Sequence, residues 1–361
     1  MTLNRRSFLC GLSAGLVAAP AVLSPSRALA ALEGEAGRLL MIGFHGSSAN
    51  ARSARALAAH MKERRAGGVV FLGHNVKSRK GIDSLTDLFG SASRGGGLIA
   101  IDHEGGAVQR LKARHGFTRL PKALRVGHKR SSSEARALYA QAARELKAAG
   151  FTLNLAPVAD LHWKRNPIIG RNGRAFSSDP AEVAAYAEAF VKAHRRNGVL
   201  CAVKHFPGHG LSRGDTHAGL VDITDSWSEA ELEPFKALVR KGAADIVMSG
   251  HLYHRSLEDG GVPITFSRRA LRGTLRTLLG FRGAIMTDDL DMGAIRKRYA
   301  QKEAVIRSLA AGNDLVLMTN SARPDKNLPK KAVRWISEAV ENGRLNRREL
   351  SRSIDRVRAL S

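Results

Sequence analysis

The chain has 361 residues, of which 43% are hydrophobic and 25% charged. That is enough apolar material for a sizeable core and excludes an intrinsically disordered chain. Lys and Arg together number 58 against 32 Asp and Glu, a formal net charge of +26, so the molecule attracts polyanions over long range in a salt-dependent way. The cations are spread along the whole chain and only 5% of residues are aromatic. This argues against a specific nucleic-acid groove, which needs basic residues interleaved with stacking rings. An anionic envelope polymer remains as a partner, as does a basic surface that serves solubility alone.

The run Asn4-Arg5-Arg6-Ser7-Phe8-Leu9, the apolar stretch Leu9 to Leu23 and the closing Ala28-Leu29-Ala30 predict a twin-arginine signal peptide over 1–30. Arg27, just before the expected cleavage point, fits that export route. The apolar stretch is shorter than the ~20 residues of a membrane span, so no transmembrane segment is expected in the mature protein. The predicted location is periplasmic or secreted. Cys10 falls in this leader, which leaves Cys201 alone and unable to form an internal disulfide. Cys201 lies in the apolar run Val199 to Val203 and reads as a buried small hydrophobe. Residues 31–361 are expected to form one domain and to act as a monomer.

Eight short apolar runs then recur, each followed by a helical pattern. In chain order they are Leu39–Phe44, Gly68–Leu72, Leu98–Asp102, Phe151–Ala156, Val199–His205, Asp245–Ser249, Ala284–Asp288 and Asp314–Met318. Runs this short and continuous fit strands covered on both faces. Among the segments between them, Ala135–Ala149 and Ala181–Asn197 are Ala-rich with polar residues at helical spacing. Asp179-Pro180 supplies an N-cap with a first-turn proline, and Ser228 starts a helix over Glu229–Lys241. Two further helices, Lys331–Glu341 and Arg347–Leu360, close the chain. The alternation predicts an α/β fold, a single (β/α)8 TIM-type barrel, with C-terminal helices.

Polar residues gather at the ends of these runs. Asp102-His103-Glu104 ends the third, Asn154 and Asp160 the fourth, Lys204-His205 the fifth, His251 follows the sixth, and Asp288-Asp289 ends the seventh. A single acid at a strand end is most simply a helix cap. Titratable groups at five consecutive strand ends instead mark the C-terminal rim, where barrel active sites sit. His45, His103, His209 and His251 lack a compact ligand spacing, so no metal or other cofactor is expected.

Four blocks carry a family resemblance. Asp102-His103-Glu104-Gly105-Gly106-Ala107-Val108-Gln109-Arg110 resembles the DxEGGxVQR stretch of glycoside hydrolase family 3. Ala156-Pro157-Val158-Ala159-Asp160, with Asn166 to Gly170 and Arg174 to Pro180, is similar to the next block. Lys204-His205-Phe206-Pro207-Gly208-His209-Gly210, then Asp215-Thr216-His217, resembles the β-N-acetylhexosaminidase branch in particular. Thr287-Asp288-Asp289-Leu290-Asp291-Met292 completes the set. The resemblance runs in order from about Leu39 to Met318. It implies a carbohydrate substrate, Asp288 as nucleophile, and His217, oriented by Asp215, as acid/base. It further implies Asp102, Arg110, Arg174, Lys204 and His205 as sugar-binding groups. The sequence departs from the family at Ala107, where Arg is frequent, and at Gly173 beside Arg174. The twin-arginine leader also separates it from members that recycle cell-wall fragments in the cytoplasm.

The chemistry is consistent with that assignment. Retaining glycoside hydrolysis needs a nucleophile beneath the anomeric carbon and an acid at the leaving oxygen. A buried strand end is a rigid mount for the first. An imidazole can give a proton in one step and take one in the next. Asp288 and Asp289 are neighbours whose side chains should point to opposite faces of extended chain; Asp289 is expected to support the rim or cap the next helix. Two alternatives stay open. Phosphate could intercept the intermediate, giving a β-N-acetylglucosaminide phosphorylase, or the chain could be a non-catalytic, basic envelope-binding protein.

Overall fold

A computed structural model describes residues 34–258 and 260–360. The expected leader over 1–30, with Cys10, lies outside the described residues. All eight apolar runs form strands: β1 Leu40–Gly43, β2 Gly68–Phe71, β3 Leu98–Ile101, β4 Leu153–Asn154, β5 Leu200–Phe206, β6 Ile246–Ser249, β7 Ala284–Thr287 and β8 Val316–Met318. Nearly every strand residue is buried, as continuous apolar runs require when both faces are covered.

The strands pair in parallel in chain order. Met41 sits opposite Gly68, Gly68 opposite Leu98, Ala100 opposite Leu153, Leu153 opposite Leu200, and Ala202 opposite Ile246, which faces Ala284 in turn. Leu40 pairs with Val316, and a parallel bridge from Met286 to Leu315 joins β7 to β8. The sheet is thereby a ring of eight strands, the expected barrel.

A helix follows each strand: Arg52–Lys62, Arg79–Ala92, Ser132–Ala148, Pro180–Arg196, Glu233–Arg240, Arg269–Leu278, Gln301–Ala311 and Leu328–Glu341. Local chemistry sets several of their starts. Ser131 and Glu134 form a reciprocal capping box, and the Asp179 carboxylate accepts from the Ala181 N–H just before Pro180; such caps are worth about 1 kcal/mol each. The helix expected over Glu229–Lys241 opens instead as a 3-10 turn, Glu229–Leu232, and becomes α-helical only from Glu233. Pro234 lacks the N–H that a continuous α-helix would use there. The helix between β6 and β7 is a π-helix throughout, which no sequence pattern announced.

Cys201 is buried and free, as expected. Phe71 packs edge-to-face on Phe44 and Phe151, both at 5.1 Å between ring centroids, tying the first strands to the core. The last helix, Arg347–Arg358, lies outside the barrel alternation. It docks on Asp314, at the start of β8. The Asp314 carboxylate accepts from Ser353 Oγ at 2.7 Å and Arg356 Nη1 at 2.9 Å, and also from Arg276. Among the described residues no helix is long and apolar enough to cross a membrane.

Candidate active site

The rim begins at β3. Asp102 follows this strand directly, and a small hairpin, His103–Gly105 against Val108–Gln109, carries the chain over the barrel mouth. Its turn uses positive φ at Gly105 and Gly106 (108° and 56°), and a Cβ on Gly105 would lie 2.5 Å from Pro121 O. The paired glycines of the motif are therefore a steric requirement.

Four of the five expected sugar-binding residues converge on one ion network, and Glu104 is its centre. Lys204 Nζ donates to Asp102 Oδ1 at 2.9 Å and lies 2.7 Å from Glu104 Oε1. Arg174 grips Glu104 with two parallel N–H bonds, Nε to Oε2 and Nη2 to Oε1, both 2.8 Å. Arg110 Nη2 reaches Asp102 Oδ2 at 3.3 Å. Lys204 and Glu104 side chains are each only 4% exposed. Burial alone would push Glu104 up, but Arg174 and Lys204 hold it down at about 2. Asp102 is likewise held low: burial opposes ionisation there, and Lys204 and Arg110 offset it. Lys204 is kept charged against burial by Asp102 and Glu104. Arg110 is the most open member, and its Nε has no partner.

The fifth, His205, hangs from a different carboxylate. Its Nδ1–H donates to Asp160 Oδ2 at 2.7 Å, and its backbone N–H donates to Asp160 Oδ1 at 3.0 Å. The His209 N–H makes a third bond to Asp160, at 2.9 Å. Burial disfavours the Asp160 anion, yet His205 and these donors depress it to about 2. The ring is thus fixed with Nε2 free. A parallel bridge between Val158 and Lys204 extends the pairing of β5 toward the rim and sets Lys204 and His205 in place.

At the end of β7 the two neighbouring acids have opposite environments. Asp288 anchors its backbone N–H to Ser249 O at 3.0 Å. Burial works against its ionisation, but the fields of His251, His205 and Lys204 lower it overall. Asp289 turns to β8: it accepts the Thr319 hydroxyl at 2.7 Å, the Thr319 N–H at 2.9 Å and the Asp291 N–H at 3.0 Å. Burial dominates at this carboxyl and raises it to about 7. Asp289 is the rim support expected of it. His251 is held between Thr265 Oγ1 and Asp289 O.

His217 and Asp215 lie on the long loop after β5. His217 Nδ1–H donates to Asp215 Oδ1 at 2.8 Å, and the same oxygen takes the His217 backbone N–H. The His217 side chain is 66% exposed. Burial opposes the Asp215 anion, but the two His217 bonds more than compensate. The loop is docked on the chain that follows Asp288. Gly293 N–H donates to His217 O at 3.2 Å, and Ala294 N–H to Thr216 O at 3.1 Å. His251 lies within electrostatic reach of both Asp288 and His217.

Three contributors were not singled out as site residues in the sequence. Glu104 and Asp160 were visible as strand-end acids, but their partners lie 70 and 45 residues away. Gly293 carried no signal at all. Among the described residues, no group of three or more His, Cys, Asp or Glu side chains is placed to hold a metal ion.

A (β/α)8 barrel with buried, charge-matched carboxylates at strand ends and an imidazole–carboxylate pair on a rim loop fits a glycoside hydrolase, and comparison with known proteins gives the same class. The family model for the glycosyl hydrolase family 3 N terminal domain matches residues 31–360. A β-hexosaminidase of Tolumonas auensis is 37% identical over 262 residues, covering 71% of this chain and 76% of that protein. One from Hydrogenovibrio crunogenus is 34% identical over 305 residues, covering 81% and 83%. Among solved structures, a family 3 β-N-acetylglucosaminidase from Paenibacillus sp. FPU-7 matches with a TM-score of 0.83 and 31% identity over 91% of this chain. This chain spans only 62% of that longer protein. The Beutenbergia cavernae β-N-acetylhexosaminidase gives 0.78 and 28%, covering 91% of this chain and 96% of its own. The chain belongs to glycosyl hydrolase family 3, and its relatives there are β-hexosaminidases.

Proposed function

We propose that the protein removes terminal β-linked N-acetylglucosamine with retention, acting on peptidoglycan-derived fragments or related glycans outside the cytoplasm after twin-arginine export, as a monomer. Asp288 attacks the anomeric carbon and the glycosidic bond breaks, while His217 Nε2–H gives its proton to the leaving oxygen. A water then attacks the glycosyl–Asp288 ester as His217 takes the water proton, which restores both groups. Asp215 holds the ring and stabilises its cationic form. Asp102 accepts from sugar hydroxyls, and Arg110, Arg174, Lys204 and His205 donate to hydroxyls or to the N-acetyl oxygen. The His205 Nε2 edge, which donates only when the ring is protonated, and Arg110 Nε are the polar groups here without a protein partner.

One observation carries this assignment above the others. A carboxylate held ionised at the end of β7 is followed, five residues on, by the backbone to which the His217 loop is hydrogen-bonded. Aryl β-N-acetylglucosaminide, β-N-acetylgalactosaminide and β-glucoside should be assayed side by side, with preference expected for the first. Asp288→Asn should lower turnover by orders of magnitude while the protein stays folded, because covalent catalysis is lost. Near-native turnover in that variant would remove Asp288 as nucleophile. Sugar phosphate appearing when phosphate is added would replace hydrolysis by phosphorolysis, which an uncharged imidazole does not repel. No turnover of any glycoside would leave a binding protein for anionic envelope polymers.

A further inference from the structure

Beside the hairpin that bears Asp102 and Arg110 the surface opens into a cavity of ≈ 1180 Å³. Small-molecule pockets run to about 300–1,000 Å³, so this one has room for more than one sugar unit. Its walls carry Lys112, Arg114, Arg119, Lys122, Arg125 and Lys129, and no Asp or Glu. None of these six forms an ion pair among the described residues, whereas other surface arginines, such as Arg195, Arg307 and Arg344, pair with Asp245 or Glu303. Arg130, at one edge, has a carboxylate neighbour in Glu134. Six cations crowded without counter-charge repel one another, an arrangement that an anionic ligand relieves.

We propose that this trough is a docking site for a carboxylate-bearing glycan chain, held next to the hairpin flanked by Asp102 and Arg110. The glycan assignment rests on the proposed function of the adjoining rim: Gly106, Ala107 and Gln109 belong both to the trough wall and to the hairpin over the barrel mouth. Arginine forks match carboxylates in two parallel bonds. No aromatic side chain lines the trough, so it lacks the stacking platforms by which single-stranded nucleic acids are held.

The test uses the full chain and three probes at low salt: oligogalacturonate, a neutral chitooligosaccharide, and a single-stranded DNA of matched charge. The variant Arg119→Gln/Lys122→Gln/Arg125→Gln is compared with Lys330→Gln/Arg348→Gln/Arg352→Gln, which removes the same charge from the exposed faces of the C-terminal helices. The trough variant should bind oligogalacturonate about tenfold more weakly, the sum expected of three exposed ion pairs, and the remote variant less than twofold. Both should keep the wild-type kcat/KM on a small aryl glycoside. Equal losses in the two variants would reduce the effect to overall charge and overturn the proposal, as would DNA binding more tightly than oligogalacturonate through the same residues. A wild-type protein without glycosidase activity would defeat the proposed function, and the binding comparison would still decide the trough.

Discussion

Gly293 offers a way to disturb the proposed acid/base without touching it. A Cβ added there would collide with His217 O and lie 2.9 Å from Ala218 C and O. The glycine does not occupy the left-handed region, so Gly293→Ala is tolerated by its own backbone, and alanine is the better helix former by about 1 kcal/mol. The loop must give way instead. It would lose its two docking bonds, Gly293 N–H to His217 O and Ala294 N–H to Thr216 O. At about 1 kcal/mol each, and tenfold in rate per ~1.4 kcal/mol, that is a roughly 30-fold loss in correctly placed imidazole. The readout is kcat/KM on two N-acetylglucosaminides. A dinitrophenyl leaving group needs little protonation and should be nearly unaffected; a sugar or alkyl leaving group should show the full loss, with Tm unchanged to within a few degrees. Equal loss on both substrates, or none on either, would refute the coupling between this glycine and proton transfer.

Other expectations concern the carboxylates. The Glu104 carboxyl is depressed from 4.5 to about 2 in the folded protein. The folded state therefore binds fewer protons than the unfolded one between those values. The stability this contributes, about 3 kcal/mol, is present above pH 4.5 and lost as pH falls toward 2. Urea midpoints between pH 7 and 3 should fall less steeply for Glu104→Gln than for the native chain, although the variant starts lower because Lys204 and Arg174 lose their shared partner; an unaltered slope would contradict the assignment. Asp289 behaves oppositely: its carboxyl is raised from 3.8 to about 7, so the folded state binds more protons between those values and the stability present below pH 3.8 is lost as pH rises to about 7. Asp289→Asn should flatten that decline between about pH 4 and 7 and spare most of the turnover, in contrast to Asp288→Asn, and a comparable collapse of activity in both would mean the two roles are misassigned. Asp160→Asn should cost about 3 kcal/mol in chemical denaturation, because it breaks a buried pair with His205 and sets an amide N–H against backbone donors.

The barrel was legible because its strands are apolar on both faces, a local property that survives in any short window. Strand ends also told where polar chemistry gathers. Which acid does what was readable only through the family resemblance, because environment decides it. Asp288 and Asp289 are adjacent, and only Thr319, from the next strand end, turns the second into a structural prop. Glu104 looked like one more strand-end acid until Lys204 and Arg174, far along the chain, were found on both its oxygens. The docking of His217 depends on a missing side chain at 293, and absence of a Cβ leaves no mark in hydrophobic periodicity. The π-helix Arg269–Leu278 differs from an α-helix by a hydrogen-bond register that propensities do not resolve.

Asp314 has a bearing on how the molecule can come apart. Its carboxylate is fully enclosed, and two of its three side-chain donors, Ser353 and Arg356, belong to the final helix. Peeling that helix away would not trim an ornament from a finished barrel; it would leave a buried anion beneath the eighth strand with Arg276 as its one remaining side-chain donor. A protease that nicks the segment before Arg347 should therefore yield either the whole chain or small peptides, with no long-lived shortened core between them.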